Sequence, residues 1–202
     1  MLPACPRWSH PDRRTLIAGI AGLAAAPVSA APAEAEGGYV IDWQGGPRTP
    51  AVAASLAAQI ALVRALRIRP DIAAFFAAQP IAVDRAEDTA TRAGPRGVFF
   101  ERKTVPADNP VLLHELLHRY HGLRLPGGFA DPTVLGFYRA VQDRDLFPPH
   151  AYMLANVKEF FAMTTSVALH GRAARPPLTR DNLRDKAPEL YRWIVAAFGS
   201  TV

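Results

Sequence analysis

Cysteine is almost absent from this sequence, because Cys5 is the only one among 202 residues. A disulfide framework is therefore excluded, and an ordinary hydrophobic core must hold the fold. A clustered basic surface is missing as well, since the 23 Lys and Arg and the 18 Asp and Glu are scattered along the chain. This distribution does not indicate a nucleic-acid partner. With 50% hydrophobic and 20% charged residues, the composition is typical of one folded domain.

The sequence also lacks an apolar run that is long and hydrophobic enough to span a membrane comfortably. Its longest Ala/Gly/Leu stretch follows Arg13 and Arg14 and ends in the small-residue pattern Val-Ser-Ala at 28–30. This arrangement predicts an export signal over residues 1–30 that resembles a twin-arginine signal and is cleaved after the pattern. A general secretory signal is the alternative, and an uncleaved anchor is less favoured. The mature protein is then expected to be exported, periplasmic or extracellular, with no stable membrane span.

Two further segments follow the predicted signal. Residues 31–48 are rich in Ala, Pro, Glu and Gly, which predicts a flexible tether, and residues 49–202 form the folded domain. Apolar spacing of three and four residues after Thr49 and Pro50 predicts a first helix, and β-branched and aromatic runs predict strands. The other predicted elements are a helix over 70–80, strands over 81–84 and 97–103, and helices over 109–122, 156–171 and 187–199. The sequence therefore predicts a mostly helical α+β fold with a small sheet.

The segment NPVLLHELLHRYHG, residues 109–122, has strong helix signals at both ends. Residue 108 or 109 can act as N-cap, Pro110 suits the first turn, and Gly122 suits the end of a helix. We therefore predict a helix over this segment.

The same segment contains the pattern HExxH at His114, Glu115 and His118. Histidines four residues apart project from consecutive turns of one helix face, so two imidazole nitrogens can meet one ion at about 2.0 to 2.1 Å. Glu115 lies beside the pair, where its carboxylate can reach a water on the ion. This is the arrangement of zinc hydrolases. The alternative is a helix with two buried, merely structural histidines.

A third protein ligand is needed, and His121 is the first candidate because it lies on nearly the same stripe. Seven residues of helix span about 10.5 Å, so His114, His118 and His121 cannot all reach one ion without breaking the helix. His121 is therefore predicted to line the cleft or to pack at the helix end. The metzincin motif is excluded too, because His121 and Arg124 occupy the positions of its glycine and last histidine.

A carboxylate from a following helix is the other common source of a third ligand. Glu159 lies in an apolar helical run, directly before Phe160 and Phe161. An ionised carboxylate in such surroundings needs a partner, and a divalent metal ion is a strong one. The alternative is a helix-start carboxylate, because Asn156 and Glu159 have the spacing of a capping box. The incomplete HExxH site favours the metal.

HELLH followed by YMLANVKEFFA resembles the gluzincin metallopeptidase domains typified by anthrax lethal factor and the secreted Pro-Pro endopeptidases. The similarity covers roughly residues 97–171 and is specific at the spacing of Tyr152 to Glu159. The resemblance implies a zincin-like domain whose small sheet lies beside the HExxH helix. It also implies Zn²⁺ held by His114, His118 and Glu159, with Tyr152 pointing at the reacting carbonyl.

Two positions depart from the family pattern. Leu117 stands where many relatives have a glycine, and Met163 stands where several relatives carry an acid one turn after the glutamate ligand. The leucine is expected to narrow the cleft. Without the acid, a hydrogen bond to a ligand histidine must come from elsewhere or be absent.

The implied activity is that of an exported zinc-dependent endopeptidase acting on a peptide or protein substrate. Zinc with three protein ligands keeps a position for water, whose pKa falls toward about 7. Glu115 is the expected general base, and the Tyr152 hydroxyl is expected to stabilise the oxyanion. The substrate is predicted to add as a strand to a sheet edge formed by 81–84 or 97–103. The alternatives are a zinc hydrolase acting on a non-peptide amide of cell-wall material and a secreted binding protein without turnover.

Overall fold

The structure, a computed structural model, describes residues 34–86, 88–175 and 177–201. The predicted export signal, residues 1–30, lies outside the described residues. Within the described part of the chain, no helix is both long enough and apolar enough to cross a membrane.

The strands of the described residues form one small mixed sheet. They are β1 (Glu34–Glu36), β2 (Tyr39–Asp42), β3 (Ile81–Val83), β4 (Arg92–Gly94) and β5 (Gly97–Phe100). Their order across the sheet is β1-β2-β3-β5-β4. The three inner strands are parallel to one another, and each edge strand is antiparallel to its neighbour. The edges are therefore β1 and β4.

The described residues contain seven α-helices, which make up most of the regular secondary structure. They are α1 (Pro50–Arg64), α2 (Pro70–Ala77), α3 (Val111–Arg124), α4 (Pro132–Asp143), α5 (Val157–His170), α6 (Arg180–Lys186) and α7 (Pro188–Phe198). Two short 3-10 helices span Gly128–Ala130 and Tyr152–Leu154. The predicted mostly helical α+β fold with a small sheet is confirmed.

Helix α3 lies between the sheet and α5, and it touches β4, β5 and α5. Four of its five leucines are fully buried, and every side chain of α5 from Phe160 to Leu169 is buried as well. The buried leucines of α3 are Leu112, Leu113, Leu116 and Leu117. Burial on this scale fixes the helix that carries the HExxH pattern between two packed layers.

The start of α3 differs from the prediction. The helix follows Pro110, and no side chain of the predicted N-cap positions caps it. Gln59 of α1 instead accepts the Leu112 N–H at 3.3 Å and donates to the Asn109 carbonyl at 2.8 Å. A buried side chain from another helix thus satisfies the free backbone donor, a contact that local sequence does not reveal.

Gly122 does not end α3, which continues to Arg124. A Cβ at position 122 would lie 2.7 Å from the ring of Phe129. The prediction that this glycine closes the helix is therefore wrong. Its role is to let an aromatic ring pack against the helix surface.

The predicted tether over residues 31–48 is wrong for most of its length, because β1 and β2 both pair within the sheet. Strand β2 pairs within the sheet, and Ile41 and Trp43 are 0% and 5% exposed. The buried guanidinium of Arg102 donates to the carbonyls of Trp43 at 2.9 Å and Pro47 at 2.8 Å. These contacts make residues 39–47 part of the folded domain.

The predicted sheet edge is also wrong. The segments 81–84 and 97–103 contribute the inner strands β3 and β5, which pair with each other. The edge beside α3 is β4, a three-residue strand that turns directly into β5 through Pro95 and Arg96. The backbone N–H and C=O groups that a partner strand can reach beside the HExxH helix therefore belong to residues 92–94.

Candidate metal centre

Helix α3 presents His114 and His118 on one face, as their four-residue spacing predicts. Their Nε2 atoms lie 3.0 Å apart. The two side chains are only 8% and 12% exposed, so both rings are largely removed from water. Two buried imidazoles thus point the same nitrogen at one spot.

Glu159 reaches the same spot from α5. Its Oε2 lies 3.1 Å from His114 Nε2, and its Oε1 lies 3.4 Å from His118 Nε2. The start of α5 does not depend on this carboxylate, because the Asn156 side chain accepts the backbone N–H groups of Lys158 and Glu159. The side chain of Glu159 is therefore free to turn toward the histidines.

These three side chains fit a bound metal ion. Ligand atoms at about 2.0 to 2.1 Å from a tetrahedral ion lie about 3.3 Å apart, close to the observed separations. Glu159 Oε2 is buried and makes no hydrogen bond to the described residues, although His114 Nε2 is near. Acceptor atoms that converge in this way without a proton between them repel one another unless a cation lies among them. Two imidazoles and one carboxylate are a donor set of catalytic zinc sites.

The electrostatics of Glu159 agree with this arrangement. Burial by itself raises the pKa of its carboxyl, but the nearby nitrogens of His114 and His118 outweigh burial and hold the pKa well below its ordinary value. The carboxylate therefore stays ionised near neutral pH, as a metal ligand must. The Nδ1 atom of His114 finds no hydrogen-bond partner in the described part of the chain. The acid that several relatives carry at the position of Met163 is therefore not replaced by another acceptor among these residues.

Glu115 is the second carboxylate near the histidines. Its ligand atom and those of His114 and His118 lie within 4.8 Å of one another. Its Oε2, however, accepts the Ala93 N–H at 2.6 Å, which holds that oxygen against β4. Burial raises the pKa of Glu115 although both histidines and the amide favour its charged form. With its oxygens 3.1 and 3.4 Å from the two Nε2 atoms, Glu159 is the better candidate for the third ligand position, and Glu115 lies beside it.

Tyr152 lies in the 3-10 helix before α5 and lines the same cleft. Burial raises the pKa of its hydroxyl, the charges of Glu159 and Glu115 raise it further, and the Arg175 guanidinium acts in the opposite direction. Its hydroxyl therefore stays protonated at neutral pH and can donate a hydrogen bond. Because His114, His118 and Glu159 line the same cleft as Tyr152, this donor lies near the candidate metal centre.

Arg119 connects the HExxH helix to the edge strand. It donates from Nη1 to the carbonyl of Gly94 at 2.6 Å and to that of Pro95 at 2.9 Å, and from Nε to Gln79 at 2.9 Å. Together with Glu115 one turn earlier, it fixes β4 against α3. This role is not among the sequence predictions, although an arginine one turn after the HExxH glutamate was an available signal.

The site opens into a cleft of about 890 Å³. Strand β4 and its turn form one wall, and α3 runs along the cleft. At one end of the cleft, near the C-terminus of α3, the lining includes Leu123 and Phe129. At the other end, near the N-terminus of α3, it includes Asn109 and Ala174. An elongated cleft with one strand as its wall suits an extended chain molecule.

His121 lies outside the metal centre, as the helical rise predicts. Its ring is 0% exposed and packs between Phe129 and Phe161, with centroid distances of 5.2 and 4.5 Å. Neither ring nitrogen makes a hydrogen bond to the described residues. Burial lowers the pKa of His121 to about 4, and the neighbouring His118 lowers it too. His121 is therefore a neutral packing residue.

We expect His121 to make stability depend on pH. Its pKa is about 4 in the folded chain and about 6.5 when unfolded, so the unfolded chain binds the proton more readily and stability falls as pH falls from 6.5 to 4. The expected loss between pH 7.5 and 4 is about 3 kcal/mol. Urea unfolding with a chelator present measures it. His121→Leu, which has a similar volume, should lack this part of the pH dependence, and an identical pH profile in both proteins would contradict the assignment.

A known structure has a similar fold. The Pro-Pro endopeptidase from Paenibacillus alvei superimposes with a TM-score of 0.56 at 15% sequence identity, over 78% of this chain and 97% of that chain. This likeness confirms the predicted zincin-like fold with the small sheet beside the HExxH helix. No protein-family model matches the chain, and no curated protein matches it significantly.

Proposed function

We propose that this protein is a zinc-dependent metallopeptidase. One observation carries the proposal: His114, His118 and Glu159 converge within 3.4 Å, with a separate carboxylate, Glu115, beside them. A structural zinc site uses all its positions for protein ligands and has no need of an adjacent free acid. The Pro-Pro endopeptidase activity of the structurally similar protein supports the choice of a peptide substrate.

The side chains have distinct roles in this proposal. Zinc held by these residues would supply a water of lowered pKa and would polarise the substrate carbonyl. Glu115 would act as the general base that takes a proton from the attacking water, and it would then donate that proton to the leaving amine. Tyr152 donates its hydroxyl hydrogen to the carbonyl oxygen as negative charge develops there. His114, His118 and Glu159 hold the ion and stay unprotonated.

The substrate backbone is proposed to add to β4. The Val98 N–H points away from β4, because it donates to the Pro80 carbonyl on the other side of β5. Val98 and its cross-strand partner Ala93 therefore form a pair that exchanges no hydrogen bonds. The Ala93 N–H and carbonyl therefore face outward, where an extended peptide can use them. In the free protein Glu115 accepts the Ala93 N–H. A peptide whose carbonyl accepts this N–H instead would free the Glu115 carboxylate to face the water.

Export belongs to this proposal. It is supported by the arginine pair before an apolar stretch that ends in small residues at 28–30. A peptidase acting outside the cytoplasm without disulfides then depends on the buried core of α3, α5 and the sheet for its stability.

A cleavage assay tests the proposed activity. Purified protein is incubated with a library of quenched peptides and, separately, with a cell-wall digest, before and after treatment with a zinc chelator. We expect peptide cleavage that the chelator stops and added zinc restores. Cleavage of amides in the cell-wall digest alone would favour a non-peptide substrate, and zinc-loaded protein that cleaves neither would favour the binding protein without turnover.

Tyr152→Phe tests the proposed oxyanion donor. The phenylalanine keeps the ring beneath Arg175 and removes only the hydroxyl. We expect kcat to fall by about 100-fold with KM nearly unchanged, because the lost hydrogen bond forms mainly in the transition state. Steady-state kinetics on one peptide measure both constants. Tyr138→Phe is the matched control, since that hydroxyl donates to the Leu154 carbonyl at 2.9 Å and does not line the cleft. A rise in KM alone would assign Tyr152 to substrate binding instead.

A further inference from the structure

Four cationic side chains line the cleft, and two of them are already committed to the fold. Arg92 pairs with Asp84 at 2.6 Å, and Arg119 is held by backbone carbonyls. The other two, Lys158 and Arg175, are exposed and have no carboxylate within ion-pair distance in the described part of the chain. They are therefore the cleft cations that can serve a ligand.

These two cations lie toward opposite ends of the cleft. Lys158 lies over the ring of Phe129 at 4.5 Å, and Phe129 packs where α3 ends. Arg175 lies over the ring of Tyr152 at 4.1 Å, on the segment that lines the cleft together with Asn109, near the start of α3. A chain molecule lying along the cleft meets one cation on each side of the candidate metal centre.

Arg175 is presented from an anchored segment. Ser166 of α5 donates to the Arg172 carbonyl at 2.9 Å, Arg172 forms an ion pair with Asp108, and Arg172 and Thr179 form an isolated β-bridge. The guanidinium therefore extends from a fixed base, stacked on the tyrosine that is proposed to contact the reacting carbonyl. This stacking brings its positive charge close to the cleaved bond.

Among the described residues, no carboxylate forms an ion pair with that guanidinium. The three acids that line the cleft are engaged elsewhere: Glu159 faces the histidines, Glu115 accepts the Ala93 N–H, and Glu101 accepts the Thr91 hydroxyl hydrogen at 3.0 Å. A guanidinium binds a carboxylate through two parallel hydrogen bonds. The open partner of Arg175 is thus an acidic group that enters with the substrate.

We propose that Arg175 is a specificity residue that binds an aspartate or glutamate side chain of the substrate close to the cleaved bond. The preferred substrates are then acidic peptides or acidic segments of proteins. This inference rests on the proposed peptidase activity and names its substrate class. Arg175 acts on binding and does not take part in proton transfer.

Matched peptides test the inference. One neutral peptide that the enzyme cleaves is varied at each position near the bond to Asp, Asn and Lys, and kcat/KM is measured for each. We expect Asp to exceed Lys by about 10-fold at one position, and this preference should shrink in high salt. Arg175→Glu should reverse the preference and Arg175→Ala should abolish it, each judged from the ratio of Asp to Lys rates within one protein.

Arg139→Glu is the matched control, because Arg139 is exposed on α4 and does not line the cleft. It should leave the ratio of Asp to Lys rates unchanged. The same ratio in the wild type and in Arg175→Glu and Arg175→Ala would overturn the inference, while cleavage of the Asn peptide would still support the peptidase activity. Failure to cleave any peptide would instead overturn the proposed function itself.

Discussion

Glu115→Gln is expected to abolish turnover while the protein keeps its zinc. Glutamine has the same shape, and its amide oxygen can still accept the Ala93 N–H that the carboxylate accepts at 2.6 Å. It cannot take a proton from water, and a positioned general base contributes about 10² to 10⁴ in rate. Since the same group also serves the leaving amine, we expect kcat to fall by at least about 10³-fold. Cleavage kinetics on one quenched peptide measure the loss.

Glu101→Gln provides the control for this substitution. Glu101 lines the same cleft and accepts the Thr91 hydroxyl hydrogen, so the change removes an equal charge from the same surroundings. We expect its kcat within a few-fold of the wild type. A Glu115→Gln protein that retains more than about a tenth of wild-type kcat would remove Glu115 from the proton-transfer role.

Glu159→Ala is expected to release the metal. In the proposed site the carboxylate supplies one of three protein ligands, so its loss would leave only the two imidazoles of α3 to hold the ion. Loss of a residue that only supports a zinc ligand costs about 10- to 100-fold in affinity, so loss of a ligand should weaken zinc binding by more than about 100-fold. Competition with a zinc-chelating dye measures the dissociation constant. Activity at limiting zinc should fall with it.

The fold should survive this change, because Asn156 caps α5 without the Glu159 side chain. Circular dichroism of the zinc-free proteins checks this. Glu189→Ala, which removes an exposed first-turn acid from α7, is the control for the loss of a negative charge at a helix start. Equal zinc affinity in Glu159→Ala and the wild type would return Glu159 to the alternative role of a helix-start carboxylate.

The sequence predicts the core of the candidate site because its residues obey local rules. His114 and His118 lie together through helical spacing alone, and His121 is excluded by helical rise alone. Glu159 is detectable because a charged side chain beside Phe160 requires a partner. The structure brings His114, His118 and Glu159 together. It places His121 outside this group, as the helical rise predicts.

The wall of the cleft could not be predicted in the same way. The three residues Arg92–Gly94 contain no β-branched or aromatic side chain, so their composition gives no strand signal. They form a strand because β5 pairs with them on one side, while Glu115 and Arg119 hold them from α3. The contacts from α3 join residues 22 and 25 positions apart, and no local pattern contains them.

The error over the tether has a different cause. The alternation of buried Tyr39, Ile41 and Trp43 with exposed Val40 and Asp42 is a strand pattern that the sequence does contain. It lies inside a stretch whose Ala, Pro, Glu and Gly content is typical of a linker, and this composition obscures the alternation. The contacts of Arg102 with this segment come from a distant part of the chain.

The central claim is that His114, His118 and Glu159 hold one zinc ion and leave Glu115 free for chemistry. Elemental analysis of the purified wild type, Glu159→Ala and Glu115→Gln, dialysed side by side, tests this claim most directly. We predict one zinc per chain in the wild type and in Glu115→Gln, and almost none in Glu159→Ala. A wild type without zinc, or zinc that is kept in Glu159→Ala and lost in Glu115→Gln, would contradict the claim.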